Sequence, residues 1–540
     1  MNLLELPILA LAFLVAALAP PFGARPARRI GIAFDRLARR PWRAALLLAV
    51  LGAGGAAATA GLAGLPAPRI HDEFGYLLAA DTFAHGRLTN PTPAGAEHFE
   101  TFHVLLRPSY QSKYPPAQGL LLALGVLLGH PAIGLWLASG LVGPVMLWAL
   151  RGWTRPRWAL LGAALAVSRI AIVGDWAQSY WGGTVAALAG ALVCGSIPRL
   201  RDRGGLVAGL ALGGGLAVLA AGRPFEGAVL GLVAFLMMAA PGWRRRRLAD
   251  APARRALAAA AIALLLGLAA LSFHASRVTG SALRLPRVEY EAQYGVTPDF
   301  LWQSPTERSD FLVPEFRDFH AGWCRDEYEK RRSASGFLRE AGRDLERHGA
   351  FYLGFVWILP FALGVCGTLR DGKGRRLLAL LAVPLGAGFL VSWSYPHYLA
   401  PATLPIVALV TLGFRTLARG GPRARALGRA LLLATLVVLL ARVASRIRRP
   451  DAWPEERARI VRELTEQGDR HLILVHYGEG HSVHDEWVYN GADLAAAPVL
   501  WARSLDPERD LALLALYPGR HVWRLEIGRN VGPFTLRPGP

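Results

Sequence analysis

Cysteine, lysine and internal repeats are scarce or missing in this sequence, and each of these features limits the class of protein to which the chain can belong. The 540 residues include three cysteines, too few for a disulfide framework and without the spacing of a zinc site. Lysine occurs three times, so arginine supplies nearly all of the 60 basic residues, which outnumber the 39 acids. No internal repeat, heptad run or low-complexity linker is present. The chain is therefore neither a disulfide scaffold nor a repeat protein, and the positions of its arginines become informative.

Six short loops carry 28 of the 60 Lys and Arg residues and only four acids, so they sum to +24 against +21 for the whole chain. Apolar runs separate these loops, and basic residues in short loops mark the cytoplasmic side of a membrane. The charge is thus an orientation signal, and no nucleic-acid partner is predicted despite a pI of 10.8. The loops are 20–43, 151–157, 199–203, 244–255, 370–376 and 415–429.

The composition predicts an integral membrane protein, with 53% hydrophobic residues and a mean hydropathy of +0.31. A span needs about 20 apolar residues. Residues 116–129 fall short of that length, and counting them as a span would place the later basic loops opposite the first, so they are predicted to form an interfacial helix. The run 3–19 lacks the basic start and cleavage site of a signal peptide and is expected to remain a helix. The predicted spans are 3–19, 44–65, 131–150, 157–173, 180–198, 205–222, 225–240, 254–274, 351–369, 377–394, 398–418 and 428–445.

The predicted fold class is mainly α: a polytopic bundle of about 12 spans with a small C-terminal α/β domain. The membrane domain covers 1–445, with interfacial helices in a first outer loop, 66–130, and another outer loop at 275–350. Residues 446–540 form the α/β domain, with strands at 471–477, 498–503 and 520–527 and a helix that Asp506-Pro507 begins. This domain is predicted outside. It would be cytoplasmic if 428–445 did not cross, an alternative that Arg446 and its basic neighbours favour.

The segment His71-Asp72-Glu73 follows the second span directly. Two adjacent carboxylates at a membrane surface can supply a general base and an electrostatic or metal-binding neighbour, because like charge and desolvation raise one pKa. The structural alternative is equally open. Asp72 is a good N-cap for an amphipathic helix over 73–86, whose Phe74 and Leu77 would lie on lipid.

The segment Ser112-Lys113-Tyr114-Pro115-Pro116 opens the interfacial helix. A helix N-terminus and an ammonium group together bind anions, and a lipid phosphate is the expected anion at this depth. The alternative is a lysine that snorkels to the headgroups without a specific ligand.

Charged and polar groups also lie at the outer ends of several spans, where they are usually functional. Arg169 with Asp175 and Arg223 with Glu226 are two such pairs, each of which could instead be a structural ion pair. The loop Tyr395-Pro396-His397-Tyr398 lies at the same level. In the C-terminal domain His476, His481, His484, Asp485 and Glu486 could bind a metal, but a solvated loop is the favoured interpretation.

These segments together resemble the GT-C superfamily of membrane glycosyltransferases, whose bacterial members include protein O-mannosyltransferase-like enzymes and the lipid A aminoarabinose transferase. His71-Asp72-Glu73 matches the acidic motif of the first outer loop. Lys113-Tyr114-Pro115-Pro116 resembles the Lys-Pro segment with one extra residue. Arg223-Pro224 and the Tyr395–Tyr398 loop are similar to the later basic and Tyr/His-rich positions. The resemblance covers roughly 44–420, and the N-terminal span and C-terminal α/β domain depart from it.

The resemblance implies transfer of a sugar from a polyprenyl-phosphate carrier to an acceptor hydroxyl of the cell envelope, with inversion, on the outer face of a bacterial inner membrane. Asp72 would take the acceptor proton, and Glu73 would orient the acceptor or share a cation. Lys113 and Arg223 would bind the departing phosphate. No cofactor is required and no metal ligands are assigned, although a divalent cation is compatible with this chemistry. The substrate pocket is predicted to contain His71, Tyr114, Arg169, Tyr395, His397 and Tyr398.

Two other classes remain open. A transporter or flippase of a lipid-linked or small substrate would place charges near the bilayer midplane on broken helices within repeats. Here the charges lie at outer ends and no repeat is found, so transport ranks second. A non-enzymatic membrane scaffold would instead use residues 446–540 to bind a partner.

Overall fold

A computed structural model describes residues 5–21, 23–202, 204–239, 250–447, 452–528 and 535–539. The fold is mostly helical, with one small sheet near the C-terminus and a two-stranded pair in the first outer loop. The helices are α1 Glu5–Leu18, α2 Ala24–Ala38, α3 Pro41–Ala63, α4 His71–Ala84, α5 Ala117–Leu127, α6 Pro131–Leu150, α7 Pro156–Ala166, α8 Thr184–Asp202, α9 Leu206–Ala220, α10 Pro224–Ala239, α11 Ala251–Thr279, α12 Pro286–Tyr294, α13 Pro314–Arg317, α14 Cys324–Glu329, α15 Ala334–Tyr352, α16 Ile358–Thr368, α17 Gly372–Gly388, α18 Thr403–Arg419, α19 Pro422–Ile447, α20 Ala452–Glu466 and α21 Pro507–Leu516. The strands are β1 Val104–Leu105, β2 Gln111–Ser112, β3 His471–Tyr477, β4 Val499–Arg503, β5 His521–Ile527 and β6 Arg537–Pro538.

Five helices within those ranges are long and apolar enough to cross a membrane by length and composition: α3, α6, α11, α19, and α18 extended to Ala400. The prediction of about 12 spans is not confirmed at that count, because several predicted runs form helices of 11 to 16 residues, among them α1, α9, α10 and α16. Helix α5 has 11 residues, which at 1.5 Å per residue is too short to span. It therefore has the length expected of the interfacial helix at 116–129.

The six basic loops meet at one end of the bundle. Asp35 pairs with Arg157 at 3.2 Å, which joins the first two loops. Arg199 lies near enough to Arg151 to repel it. The same holds for Arg201 with Arg376 and for Arg415 with Arg155. A Cβ at Gly204 would lie 3.2 Å from the nitrogen of Ala253, so the described end of loop 244–255 belongs there too. The six loops therefore share one side, as predicted, and the assignment of that side to the cytoplasm stays a prediction.

The C-terminal elements form the α/β unit that the sequence predicts. Strand β3 lies between β4 and β5, parallel to both, and β6 adds antiparallel to β5. Residues Leu472 to Val475 are buried, as expected of a strand covered on both faces. The Asp506 carboxylate accepts the Arg509 N–H at 2.9 Å and caps α21. The predicted strands and cap are therefore confirmed.

The C-terminal unit packs directly on the first outer loop. Phe74 of α4 stacks on Tyr489 at 4.1 Å between ring centroids, and Leu78 and Phe99 share a hydrophobic core with Leu472. The C-terminal unit therefore lies at the same end of the bundle as Asp72, and its position on the outer side of the membrane stays a prediction. The prediction that Phe74 of α4 lies on lipid is wrong, because the C-terminal unit covers this side chain. The boundary between 445 and 446 stays a prediction.

Arg503 links the C-terminal unit to the outer loop 275–350. Its buried guanidinium donates to Glu486 at 2.7 Å and to Glu315 at 3.1 Å. Arg503→Met would leave Glu486 buried without its cation, so we expect the free energy of unfolding to fall by about 3 kcal/mol. Urea unfolding followed by tryptophan fluorescence, to which buried Trp487 and Trp501 contribute, measures this loss.

Arg509→Met is the matched control, because Arg509 pairs with Asp506 at the surface and exposed pairs contribute less than about 1 kcal/mol. Equal losses in the two variants would contradict a structural role for Arg503.

Candidate active site

A cavity of about 250 Å³ lies at the end of the bundle opposite the basic loops. Helix α3 connects the two ends, because it begins beside the basic helix α2 and leads to His71 at the start of α4. Eight separate stretches of the chain contribute to the wall. The lining residues are Ile70, His71, Asp72, His103, Lys113, Tyr114, Trp181, Arg287, Glu291, Thr297, Phe319, His320, Trp323, Cys324, Trp393, Tyr395, His397, Tyr398 and His484.

Asp72 lies in the first turn of α4 with its carboxylate in the cavity. The helix begins at His71 with Ile70 at the N-cap and no side-chain cap, so the prediction that Asp72 caps the helix is wrong. Instead its Oδ1 accepts the Tyr114 hydroxyl at 2.6 Å. Burial raises the pKa of Tyr114 well above its usual value, which keeps that hydroxyl a donor. Oδ2 remains 3.9 Å from His103 Nε2 and is available to a ligand.

His103 is held in an uncommon backbone conformation beside Asp72. Its φ of +65° lies in the left-handed region, which non-glycine residues rarely occupy. The Tyr290 hydroxyl accepts its N–H at 3.1 Å, and its carbonyl accepts the Lys113 N–H at 3.0 Å. These two hydrogen bonds place Lys113 and its neighbour Tyr114 against the start of α4.

Two cations line the cavity, and each has a carboxylate partner. Lys113 Nζ lies 3.1 Å from Glu291 Oε1 and 4.4 Å from the Tyr290 ring centroid. Arg287 Nε donates to Asp299 at 3.2 Å. Helix α12 carries Arg287 and Glu291 one turn apart, so both face the cavity. The partners orient the cations and avoid leaving an uncompensated buried charge.

Neutral imidazoles surround these charges. Burial lowers the pKa of His71 and His103 well below the usual value, and nearby Lys113 lowers both further. Burial lowers the pKa of His320 to about 3. At neutral pH these side chains therefore add hydrogen-bonding atoms to the cavity without adding positive charge. His71 Nε2 and His103 Nδ1 are buried without a hydrogen-bond partner among the described residues.

The late loop at 395–398 forms the opposite wall, as the sequence predicts. The His397 ring lies 4.3 Å from Trp181 and 4.6 Å from Tyr398. The guanidinium of Arg223 lies 4.8 Å from the centroid of the Tyr398 ring, and Arg223 does not line the cavity, whereas Arg287 does. The predicted binding of a phosphate by Arg223 stays a prediction.

Two other predicted site residues lie outside the cavity. Arg169 donates to the carbonyls of Ala350 and Phe351 at 2.5 and 2.8 Å and lies 3.5 Å from Glu5. It binds α1 to the end of α15, so neither its place in the substrate pocket nor its predicted pairing with Asp175 is correct. Asp175 instead pairs with Arg446 at 3.1 Å.

Glu73 points away from Asp72 and is 1% exposed. Its carboxylate accepts the Arg69 N–H at 2.7 Å, which satisfies a backbone donor ahead of the first turn of α4. The predicted capping role thus falls on Glu73 and not on Asp72, and Glu73 is not placed to touch a ligand in the cavity.

Burial raises the pKa of Glu73 to about 7 from 4.5. Between these values the folded chain holds a proton that the unfolded chain has released. The free energy of unfolding therefore falls as the pH rises from 4.5 to about 7, by at most about 3 kcal/mol. Glu73→Gln should melt at a higher temperature than the wild type at pH 8 and at a similar temperature at pH 4.5. A difference in melting temperature between Glu73→Gln and the wild type that does not change with pH would contradict this account.

The C-terminal unit adds His484 to the cavity rim, 4.9 Å from Trp323 between ring centroids. The other members of the predicted cluster point elsewhere. His481 stacks on Tyr477, and Glu486 binds Arg503. Within the described part of the chain, no group of three or more His, Cys, Asp or Glu side chains could hold a metal ion.

Sequence reasoning missed five polar lining residues: His103, Arg287, Glu291, Thr297 and His320. His103 lies within a loop already singled out, and Pro286 marks the start of α12, but neither feature predicts which way a side chain faces. The pairing of Lys113 with Glu291 spans 178 residues, a distance over which no local pattern acts.

No protein-family model matches the chain, and no curated protein matches it. A solved structure of ArnT from Cupriavidus metallidurans bound to undecaprenyl phosphate is 13% identical, with a TM-score of 0.47 and 92% of each chain covered. The oligosaccharyltransferase AglB from Archaeoglobus fulgidus, in complex with an inhibitory peptide and a dolichol-phosphate, is 10% identical, with a TM-score of 0.46, and covers 89% of this chain and 69% of that one. Both neighbours are members of the GT-C superfamily, the superfamily that the sequence motifs resemble.

Proposed function

We propose that this chain is a membrane glycosyltransferase that moves a sugar from a polyprenyl-phosphate carrier to an acceptor hydroxyl. The observation that carries the proposal is the meeting of Asp72, Lys113 and Arg287 around one cavity at the outer end of apolar helices. A carboxylate base and two cations in one partly enclosed site suit a reaction that removes a proton and releases a phosphate.

The surroundings of the cavity support a lipid-linked donor. Helix α5 begins three residues after Tyr114, and its Leu120, Leu124 and Leu127 are at least half exposed. Exposed leucines on a short helix beside two cations suit a ligand with a hydrocarbon tail and an anionic head. The rim formed by Trp323 and His484 comes from the outer polar segments. In the proposal the donor enters along α5 and the acceptor enters past this rim.

The proposed step is a single displacement. The acceptor oxygen attacks the anomeric carbon, and the bond from that carbon to the carrier phosphate oxygen breaks. Asp72 Oδ2 takes the acceptor proton while Tyr114 holds Oδ1, and attack opposite the leaving group inverts the anomeric centre. Lys113 and Arg287 stabilise the charge that develops on the departing phosphate. No step of this proposal uses a cation cofactor.

The experiment supplies the purified chain with a panel of polyprenyl-phosphate monosaccharides carrying radiolabelled sugars, together with crude envelope acceptors. We expect label to leave the lipid fraction and polyprenyl phosphate to be released in equal amount. Movement of intact labelled lipid across a vesicle membrane, without cleavage of the sugar, would replace this proposal with a flippase.

A further inference from the structure

Helix α2 has a surface that the proposed function does not use. It lies directly before α3 at the basic end of the bundle, about 34 Å from the cavity if α3 crosses a membrane at 1.5 Å per residue. Phe34 and Leu37 pack on the main core, Ala38 is buried, and Asp35 pairs with Arg157. One side of α2 is thus fixed to the bundle.

The opposite side of α2 carries Arg25, Arg28, Arg29 and Arg36, all exposed. At 3.6 residues per turn, Arg25, Arg29 and Arg36 fall within about 40° of each other around the helix. None of the four forms an ion pair within the part of the chain that the structure describes. Their charge faces outward, and no carboxylate among the described residues pairs with it.

Around the helix, Ile32 falls within about 60° of all four arginines, whereas Ile30 lies about 100° or more from each of them. Ile30 is 65% exposed and Ile32 is 47% exposed, and Trp42, 64% exposed, follows at the start of α3. Tryptophan is enriched at the boundary between lipid and water. Exposed apolar and arginine positions on one short helix suit a position in the plane of a membrane surface.

The neighbouring basic loops add to the positive charge around α2. Arg429 donates to the Pro20 carbonyl at 2.7 Å just before α2, and Arg155 and Arg415 lie close enough to repel each other. This concentration of positive charge is complementary to an anionic surface. An anionic leaflet attracts basic residues by about fivefold in affinity for each residue near the surface.

We infer that the exposed face of α2 binds anionic phospholipid headgroups of the cytoplasmic leaflet. Arg25, Arg28, Arg29 and Arg36 bind the phosphates, while Ile32 enters the boundary of the acyl chains. The contact holds the inner end of α3 at a defined depth. This inference stands whether or not the chain transfers sugars.

The test uses the full-length purified chain in detergent, titrated with phosphatidylglycerol, with phosphatidylcholine or with inorganic phosphate. Native mass spectrometry counts retained lipids, and the melting temperature is followed in parallel. We expect phosphatidylglycerol to bind at least tenfold more tightly than phosphatidylcholine and to raise the melting temperature. The variant R25Q/R28Q/R29Q/R36Q should lose this preference, and the same four positions changed to lysine should keep it.

The matched control, R317Q/R332Q/R339Q/R509Q, removes four exposed arginines from the outer elements and should keep the full preference. The milder variant R25Q/R36Q should lose part of it, so that a folding defect in the quadruple variant does not decide the result. Three results would overturn the inference: an unchanged preference in both α2 variants, an equal loss in the outer control, or an equal effect of inorganic phosphate.

Discussion

Asp72→Asn is expected to abolish sugar transfer, with a loss of about 10³-fold in kcat. The amide keeps the size of the side chain and can still accept the Tyr114 hydroxyl, which lies 2.6 Å from Oδ1 in the wild type. It cannot take the acceptor proton, and general base catalysis contributes about 10² to 10⁴-fold. Initial rates of label transfer, with the donor saturating, measure the loss.

Asp175→Asn is the matched control, because Asp175 lies outside the cavity and is largely exposed. Its rate should stay within about twofold of the wild type. A retained rate in Asp72→Asn, with unchanged melting temperature, would remove Asp72 as the base. The wider proposal of a transferase would then need another proton acceptor in the same cavity.

Lys113→Met and Arg287→Gln are each expected to lower kcat by about 10²-fold or more. Both remove a cation from the wall of the cavity, where the departing phosphate gathers charge, and loss of one such group commonly costs about 10² to 10³-fold. Arg223→Gln should cost less than about tenfold, because Arg223 contacts the Tyr398 ring but does not line the cavity. Steady-state kinetics with a single labelled donor separates the three variants.

Lys113→Arg tests whether the charge alone is sufficient. It keeps the cation but changes its shape beside Glu291 and Tyr290, so we expect partial activity between that of the wild type and that of Lys113→Met. A larger loss in Arg223→Gln than in Arg287→Gln would contradict the assignment made from the cavity. It would favour the phosphate site that the sequence motifs imply.

The elements that the sequence predicts well are those that depend on neighbouring residues. Helix α6 covers 131–150 as expected, because a continuous apolar run has to satisfy its own backbone hydrogen bonds in lipid. The Asp506 cap and the strands of the C-terminal unit are equally local. The count of spans was less predictable, since several apolar runs form helices too short to cross a membrane by length.

The site was predictable in part. The segments at 71–73, 112–116 and 395–398 were singled out because polar groups beside apolar runs are costly unless they have a purpose, and each contributes to the cavity. The direction of single side chains was not predictable. Adjacent positions on a helix point about 100° apart, so Asp72 faces the cavity while Glu73 is buried on another side of α4.

By itself, the sequence determined that the chain is a membrane protein, which of its ends is basic, and which short segments hold reactive groups. These follow from composition and from hydrophobic runs, which act over a few residues. Only the tertiary structure decided that Lys113 and Glu291 meet, that Arg287 lines the cavity in place of Arg223, and that the C-terminal unit supplies His484 to the rim. Such contacts depend on how distant helices and loops pack, and packing between distant segments leaves no periodic signal in the residues that take part.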